Sequence, residues 1–167
     1  MTSAILSQDI VALAQRVVSE NITAGRKIAV AESCTGGLVC AALTEIPGSS
    51  AVLDRGFVTY SNEAKQQLLG VSEDILEAFG AVSPATAWAM AQGALRNSDA
   101  DVAVSISGIA GPDGGSPLKP VGTVVFAFAH RGQNDEDINA EQRLLEGQDR
   151  ATIRAQATMV ALELLLP

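Results

Sequence analysis

Histidine occurs once in this sequence, at His130, and cysteine twice, at Cys34 and Cys40. A lone histidine at the end of a predicted strand, beside Arg131 and Gly132, reads as a surface residue and argues against a Ser-His-Asp triad. One histidine with two cysteines does not make a usual zinc site, and neither a metal nor a cofactor is expected. Any hydrolytic chemistry must then use a lysine, a tyrosine or a carboxylate as its base. The two cysteines lie six residues apart on an apparent helix and face different ways. No structural disulfide is expected, and a reducing, cytoplasmic setting fits. Cations are scarce: 11 Lys and Arg stand against 19 Asp and Glu, for a net charge of −8. They form no cluster, which speaks against direct nucleic-acid contact and against an anionic membrane surface, while leaving room for a small anion in a local positive site. No apolar stretch reaches the roughly 18 residues of a membrane span. The opening MTSAILSQDIVALAQRVV has no basic region before its apolar run, so it does not read as a signal peptide.

What is present is a globular chain. Its 167 residues are 47% hydrophobic and 18% charged, enough for one domain over 1–167 with a real core. Residues 8–24 carry Ile10, Leu13, Ala14, Val17 and Val18 on one helical stripe, stopped by Gly25. A short apolar strand, KIAVA at 27–31, runs into SCTGG and a helix over LVCAALTEI. Residues 52–60 read as a strand, with a break expected at Gly56. Helices follow over 62–69, 72–79 and 83–97, the last opened by Ser83 and Pro84. Strands are expected at 101–107 and 121–129, an edge strand at 138–145, and a final helix at 150–166 capped by Asp149. The two strongest strands have no helix between them, so they either pair antiparallel or are joined by a long crossover. Alternating helices and strands make this an α/β protein with a mixed, mostly parallel sheet.

Three unusual segments each follow a predicted strand: ESCTGG at 32–37, YSNEAK at 60–65 and SGIAGPDGG at 107–115. Ligands of open α/β sheets bind beyond the carboxyl ends of the strands, so the three point to one composite site. In the first, Ser33 or Cys34 is the candidate nucleophile, and the N–H groups of Thr35, Gly36 and Gly37 at a helix start are candidate donors to an oxyanion. In the second, Asn62 reads as an N-cap or as a contact for a ribose hydroxyl, and as the cap it puts Lys65 in the first turn. A lysine desolvated there becomes a neutral base, with Tyr60 beside it. In the third, Gly108 and Gly111 belong to a loop whose backbone can approach a phosphate or ribose. It is neither a Walker loop nor a G-x-G-x-x-G fingerprint.

Taken together, AESCTGG (31–37), GFVTYSNEAK (56–65), GAVS (80–83), SISGIAGPDGG (105–115) and KPVGTV (119–124) strongly resemble the C-terminal domain family of the competence/damage-inducible protein CinA, and within it the stand-alone nicotinamide-nucleotide amidases. The likeness runs from about residue 8 to 165. It implies a three-layer α/β/α sandwich, a tendency to homodimers, and metal-free deamidation of nicotinamide mononucleotide, a small-molecule nucleotide substrate. It assigns the family's serine, tyrosine and lysine to Ser33, Tyr60 and Lys65. Relatives commonly read Gly-Asp-Arg before the last helix, with the arginine facing the site. Here Gly147-Gln148-Asp149-Arg150 is one residue longer, and Arg150 is the matching residue. Two other readings remain at this point: a nucleotide- or partner-binding module without turnover, linked to competence or DNA damage, and an amidase for another small carboxamide.

Overall fold

The computed structural model describes residues 5–167. Helix α1 (Gln8–Ala24) leads into strand β1 (Ile28–Glu32), helix α2 (Leu38–Thr44) and strand β2 (Leu53–Val58). Three helices follow, α3 (Asn62–Leu69), α4 (Glu73–Phe79) and α5 (Pro84–Arg96). Strands β3 (Val102–Gly108), β4 (Thr123–His130) and β5 (Ala140–Leu144) precede the last helix, α6 (Arg150–Leu164). The strands form one sheet in the order β2-β1-β3-β4-β5. β1 pairs parallel with β2 and β3, while β4 runs antiparallel to both of its neighbours. Four strands therefore point one way and β4 alone points back. The two strongest strands pair antiparallel, Val102 against His130 through Gly108 against Val124.

Side-chain size alternates along the central strands and sorts the helices into layers. Ile28, Val30, Val104, Ile106, Phe126 and Phe128 face α1, α2 and α6. Ala29, Ala31, Ala103, Ala127 and Ala129 face the other way, against Ala87, Ala91 and Ala94 of α5. Successive strand residues point to opposite faces, so a large/small alternation gives a thick apolar layer on one side and close helix–sheet approach on the other. The result is three layers, α/β/α.

Two glycines set distances that matter for the site. A Cβ on Gly93 would lie 2.1 Å from the Leu69 carbonyl oxygen, so α5 approaches the end of α3 at backbone range. A Cβ on Gly56 would lie 2.3 Å from Cys40 Sγ. Gly56 does not break β2. It pairs in register with Val30 and leaves room for α2 to lie against the strand.

β1 lies between its parallel partners β2 and β3. The chain leaves β1 to one side through α2 and returns on the other through α3–α5, so its carboxyl end is the topological switch point of the sheet. Glu32, Val58 and Ile106 are level there.

Candidate active site

Ser33 is the first residue beyond β1, and its N–H donates to Ile106 O at 2.9 Å. It is 7% exposed and opens onto a cleft of about 160 Å³. The cleft is lined by Ser33, Cys34, Tyr60, Lys65, Ala81, Val82, Ser107, Gly108, Ala110 and Arg150. The ends of β1, β2 and β3 thus meet as the strand-end argument requires.

Lys65 reaches this cleft from α3. The cap of α3 is Ser61, whose hydroxyl accepts from Ala64 N–H at 3.0 Å. This corrects the assignment of that cap to Asn62, which is instead the first helical residue, exposed and outside the cleft wall. Lys65 lies one position deeper than the sequence suggested, and its side chain is 1% exposed. Nζ contacts three oxygens: Ser33 Oγ at 3.0 Å, Thr59 O at 2.8 Å and Tyr60 O at 3.4 Å. No carboxylate pairs with it among the described residues. Burial pushes its pKa below the ordinary lysine value, opposed only by nearby Cys34. A neutral amine has two N–H groups and one lone pair. As an ammonium Nζ can donate to all three oxygens; after losing a proton it keeps two N–H groups for the two carbonyls, and its lone pair is then free to take the Ser33 hydroxyl proton. The contact between Nζ and Oγ is direct.

The Ser33–Gly37 turn differs from expectation in one respect. Glu32, wholly buried, turns its carboxylate onto the start of α2. Oε1 accepts from Thr35 Oγ1 at 2.6 Å, Gly37 N–H at 3.2 Å and Val39 N–H at 3.0 Å, and Oε2 accepts from Cys40 N–H at 3.1 Å. Hydrogen bonds to a charged group contribute about 1.5–3 kcal/mol each, and an anion at a helix N-terminus gains from the dipole as well. Gly36 N–H donates to Ser33 O at 3.0 Å. The N–H groups of Gly36 and Gly37 are therefore spent inside the protein and are not oxyanion donors. Both glycines have positive φ, 60° and 105°, which lets the chain reverse between β1 and α2. Thr35 is buried, and its hydroxyl is committed to Glu32. The backbone N–H groups of Cys34 and Thr35 have no acceptor among the described residues.

Cys34 shares the cleft wall. Burial raises its thiol to about 11, so it is protonated near neutral pH and a poor nucleophile. Cys40 lies outside the cleft wall, and burial also raises its thiol. Both cysteines are free thiols. His130 is exposed at the far end of β4, edge-on to Phe128.

Arg150 and Tyr60 form the rim. Arg150 donates to the Tyr60 hydroxyl at 2.9 Å and to Gly111 O at 2.7 Å. Arg150 lines the cleft. Asp149 caps α6 by accepting from Thr152 N–H at 2.8 Å, and that bond lowers its carboxyl. Arg150 is then the first residue of the helix and faces the cleft. Gly111 contributes a carbonyl that orients Arg150 rather than lining the cleft. Gly108 does line it, and a Cβ there would lie 2.7 Å from Val124 Cγ2.

The sequence reading brought Ser33, Tyr60, Lys65, Gly108 and Arg150 to one place. It placed the 107–115 segment at the site without singling out Ser107, which donates to Ala81 O at 2.8 Å and so ties β3 to the 80–83 segment, or Val82 beside it. It also gave Glu32 no role, although a lone acid ending an apolar strand was a visible signal. Arg154 was missed too, although it stands one helical turn after Arg150. Among the described residues no group of three His, Cys, Asp or Glu side chains is arranged to hold a metal ion. No described helix is long and apolar enough to cross a membrane.

With this geometry in place, comparison with known proteins is informative. The CinA C-terminal domain matches residues 10–167. The chain is 56% identical to the nicotinamide-nucleotide amidohydrolase PncC of Enterobacter agglomerans over 136 residues, which is 81% of this chain and 80% of that protein. It is 55% identical to the protein of the same name from Escherichia coli K12, over 84% of this chain and 83% of the relative. A putative competence-damage inducible protein of Symbiobacterium thermophilum is 55% identical over 83% of this chain, but that match spans 33% of the longer protein. Among solved structures, the competence/damage inducible protein CihA of Agrobacterium tumefaciens superposes with a TM-score of 0.92 at 47% identity, covering 98% of this chain and 97% of the other.

Proposed function

The chain belongs to the CinA C-terminal domain family, and from that premise we propose that it is a nicotinamide-nucleotide amidase using Ser33 as nucleophile and Lys65 as base. It hydrolyses the carboxamide of nicotinamide mononucleotide to nicotinate mononucleotide and ammonia. The observation that carries the chemistry is the 3.0 Å contact between Lys65 Nζ and Ser33 Oγ, with the lysine buried and matched to carbonyls alone.

Ser33 Oγ attacks the carboxamide carbon while its proton passes to Lys65 Nζ. The carbonyl oxygen becomes an oxyanion, held by the free N–H groups of Cys34 and Thr35. Lys65 returns the proton to the departing nitrogen, which leaves as ammonia. A water, deprotonated by Lys65, then attacks the acyl-enzyme and releases the acid. Arg150 supplies a fixed cation at the cleft rim for the phosphate, positioned by Gly111 O and Tyr60. A single-domain, cytoplasmic homodimer without direct nucleic-acid contact completes the reading.

The test is ammonia release from nicotinamide mononucleotide by metal-stripped protein, with Ser33→Ala alongside. Turnover by the wild type and none by the variant is expected. Equal turnover by both removes the serine mechanism. Nucleotide binding without turnover by folded wild type replaces the enzyme with a binding module. Equal rates on free nicotinamide remove the phosphate anchor.

A further inference from the structure

Arg154 is absent from the cleft wall, and no step above uses it. Its Nε donates to Cys34 O at 3.0 Å and its Nη2 donates to Thr35 O at 3.1 Å. It forms no ion pair among the described residues. A guanidinium committed to two consecutive carbonyls of the nucleophile turn does more than attach α6, which is already buried through Ile153 and Ala157.

A trans peptide is planar, with its C=O and N–H pointing in opposite directions. Cys34 O and Thr35 N–H belong to one such plane. Arg154 holds the carbonyl end, so the N–H end points away from the guanidinium, and it has no acceptor among the described residues. Glu32 holds the same turn through the Thr35 hydroxyl and the start of α2. A charge-assisted bond to the carbonyl also draws electron density from the peptide and strengthens its N–H as a donor.

We infer that Arg154 is a positioning residue of the Ser33 site: it fixes and polarises the Cys34–Thr35 peptide so that the Thr35 N–H donates to the oxyanion. The inference rests on the serine acyl-transfer reading above. It does not depend on which amide is the substrate.

The test uses Arg154→Ala and Arg154→Lys, with two readouts besides melting temperature. One is kcat and KM for ammonia release from nicotinamide mononucleotide. The other is the rate at which a fluorophosphonate labels Ser33, since its phosphoryl oxygen needs the same donor whatever the natural substrate. Arg154→Ala is expected to lower kcat and the labelling rate together by about 10- to 100-fold, somewhat less than outright loss of an oxyanion donor. KM and the pH midpoint set by Lys65 stay in place, and guanidinium ion at non-denaturing concentration restores part of both rates. Lysine keeps the charge but loses the planar fork, so Arg154→Lys is expected to fall between the two and carries the test if alanine does not fold. Unchanged kcat and labelling overturn the inference. So does a rise in KM with kcat kept, which would make Arg154 a substrate contact, or a loss that follows the melting temperature and resists guanidinium. Wild type that is labelled at Ser33 but does not hydrolyse the nucleotide removes the substrate assignment and leaves Arg154 testable by labelling. Wild type that is not labelled overturns both.

Discussion

Lys65 Nζ lies 3.0 Å from Ser33 Oγ although 32 residues separate them, and its other two contacts are backbone carbonyls. This lysine is buried without a counter-ion among the described residues. Charging it costs desolvation, and its pKa falls as a result. That same cost is what makes it available as a base.

A pH dependence with a definite sign follows. Activity rises as pH increases through the folded-state pKa of Lys65, and the midpoint lies below the ordinary lysine value of about 10.4. Stability follows the same direction. The folded pKa is the lower one, so the unfolded chain binds more protons between the two values, and stability increases with pH across that window. Lys65→Met removes both effects. Its turnover falls by the roughly 10²–10⁴ of a lost general base, while its melting temperature near neutral pH equals or exceeds wild type. Ammonia release and thermal melts across a pH series check this. An activity midpoint at the ordinary lysine value would contradict it.

Cys34 is the neighbouring rival for Ser33, and burial, which raises its thiol, disfavours it as nucleophile. With the thiol raised to about 11, iodoacetamide reacts slowly at neutral pH and accelerates only in strong base. Cys34→Ala retains most of the turnover that Ser33→Ala abolishes. Inactivation of folded Cys34→Ala would transfer the nucleophile to the thiol.

Arg150 is held by Gly111 O and the Tyr60 hydroxyl, so its loss should appear in binding. Arg150→Ala raises KM for the nucleotide about tenfold or more, matching the loss of a charge-assisted contact of about 1.5–3 kcal/mol, and changes kcat less. Tyr60→Phe removes one of the two contacts and gives a smaller rise in KM. Steady-state kinetics on both variants separate these effects. A fall in kcat with KM unchanged would move Arg150 from binding to chemistry.

Gly93 acts on the site from a distance. A methyl group there collides with the Leu69 carbonyl at 2.1 Å, and Leu69 ends the helix that carries Lys65. Gly93→Ala therefore either shifts α3 and lowers kcat, or destabilises the fold by the roughly 1–3 kcal/mol typical of overpacking. Thermal melts with kinetics distinguish the two. A variant with wild-type stability and kcat would show that α3 is not fixed by this contact.

Much of the fold was legible because it is written in local terms. The helical stripe of α1, the Ser83–Pro84 start of α5 and the Gly70 stop of α3 each reflect chemistry within a few residues. The β3–β4 pairing was not, since Val102–Gly108 and Thr123–His130 are equally apolar for either connection and the loop between them allows both. Asn62 and Ser61 are both good caps, and the backbone path off β2 chose Ser61. The engagement of two candidate oxyanion donors was hidden for a similar reason. Gly36 and Gly37 look open in sequence, but the Glu32 carboxylate and Ser33 carbonyl take up their N–H groups.

The sequence by itself determined the class of the protein and narrowed its candidate reactive groups. Periodicity assigns helices and strands, and one histidine with two cysteines leaves a lysine, a tyrosine or a carboxylate as the base of any hydrolytic chemistry. What only the tertiary structure decided is which of those groups touch and in what state. Bringing Lys65 to Ser33 takes the parallel register of β1 with β2, the approach of α3 to α5 at Gly93, and burial that no local pattern encodes. A lysine's pKa depends on the water and charge it loses, and those are properties of the folded neighbourhood, not of the chain around it.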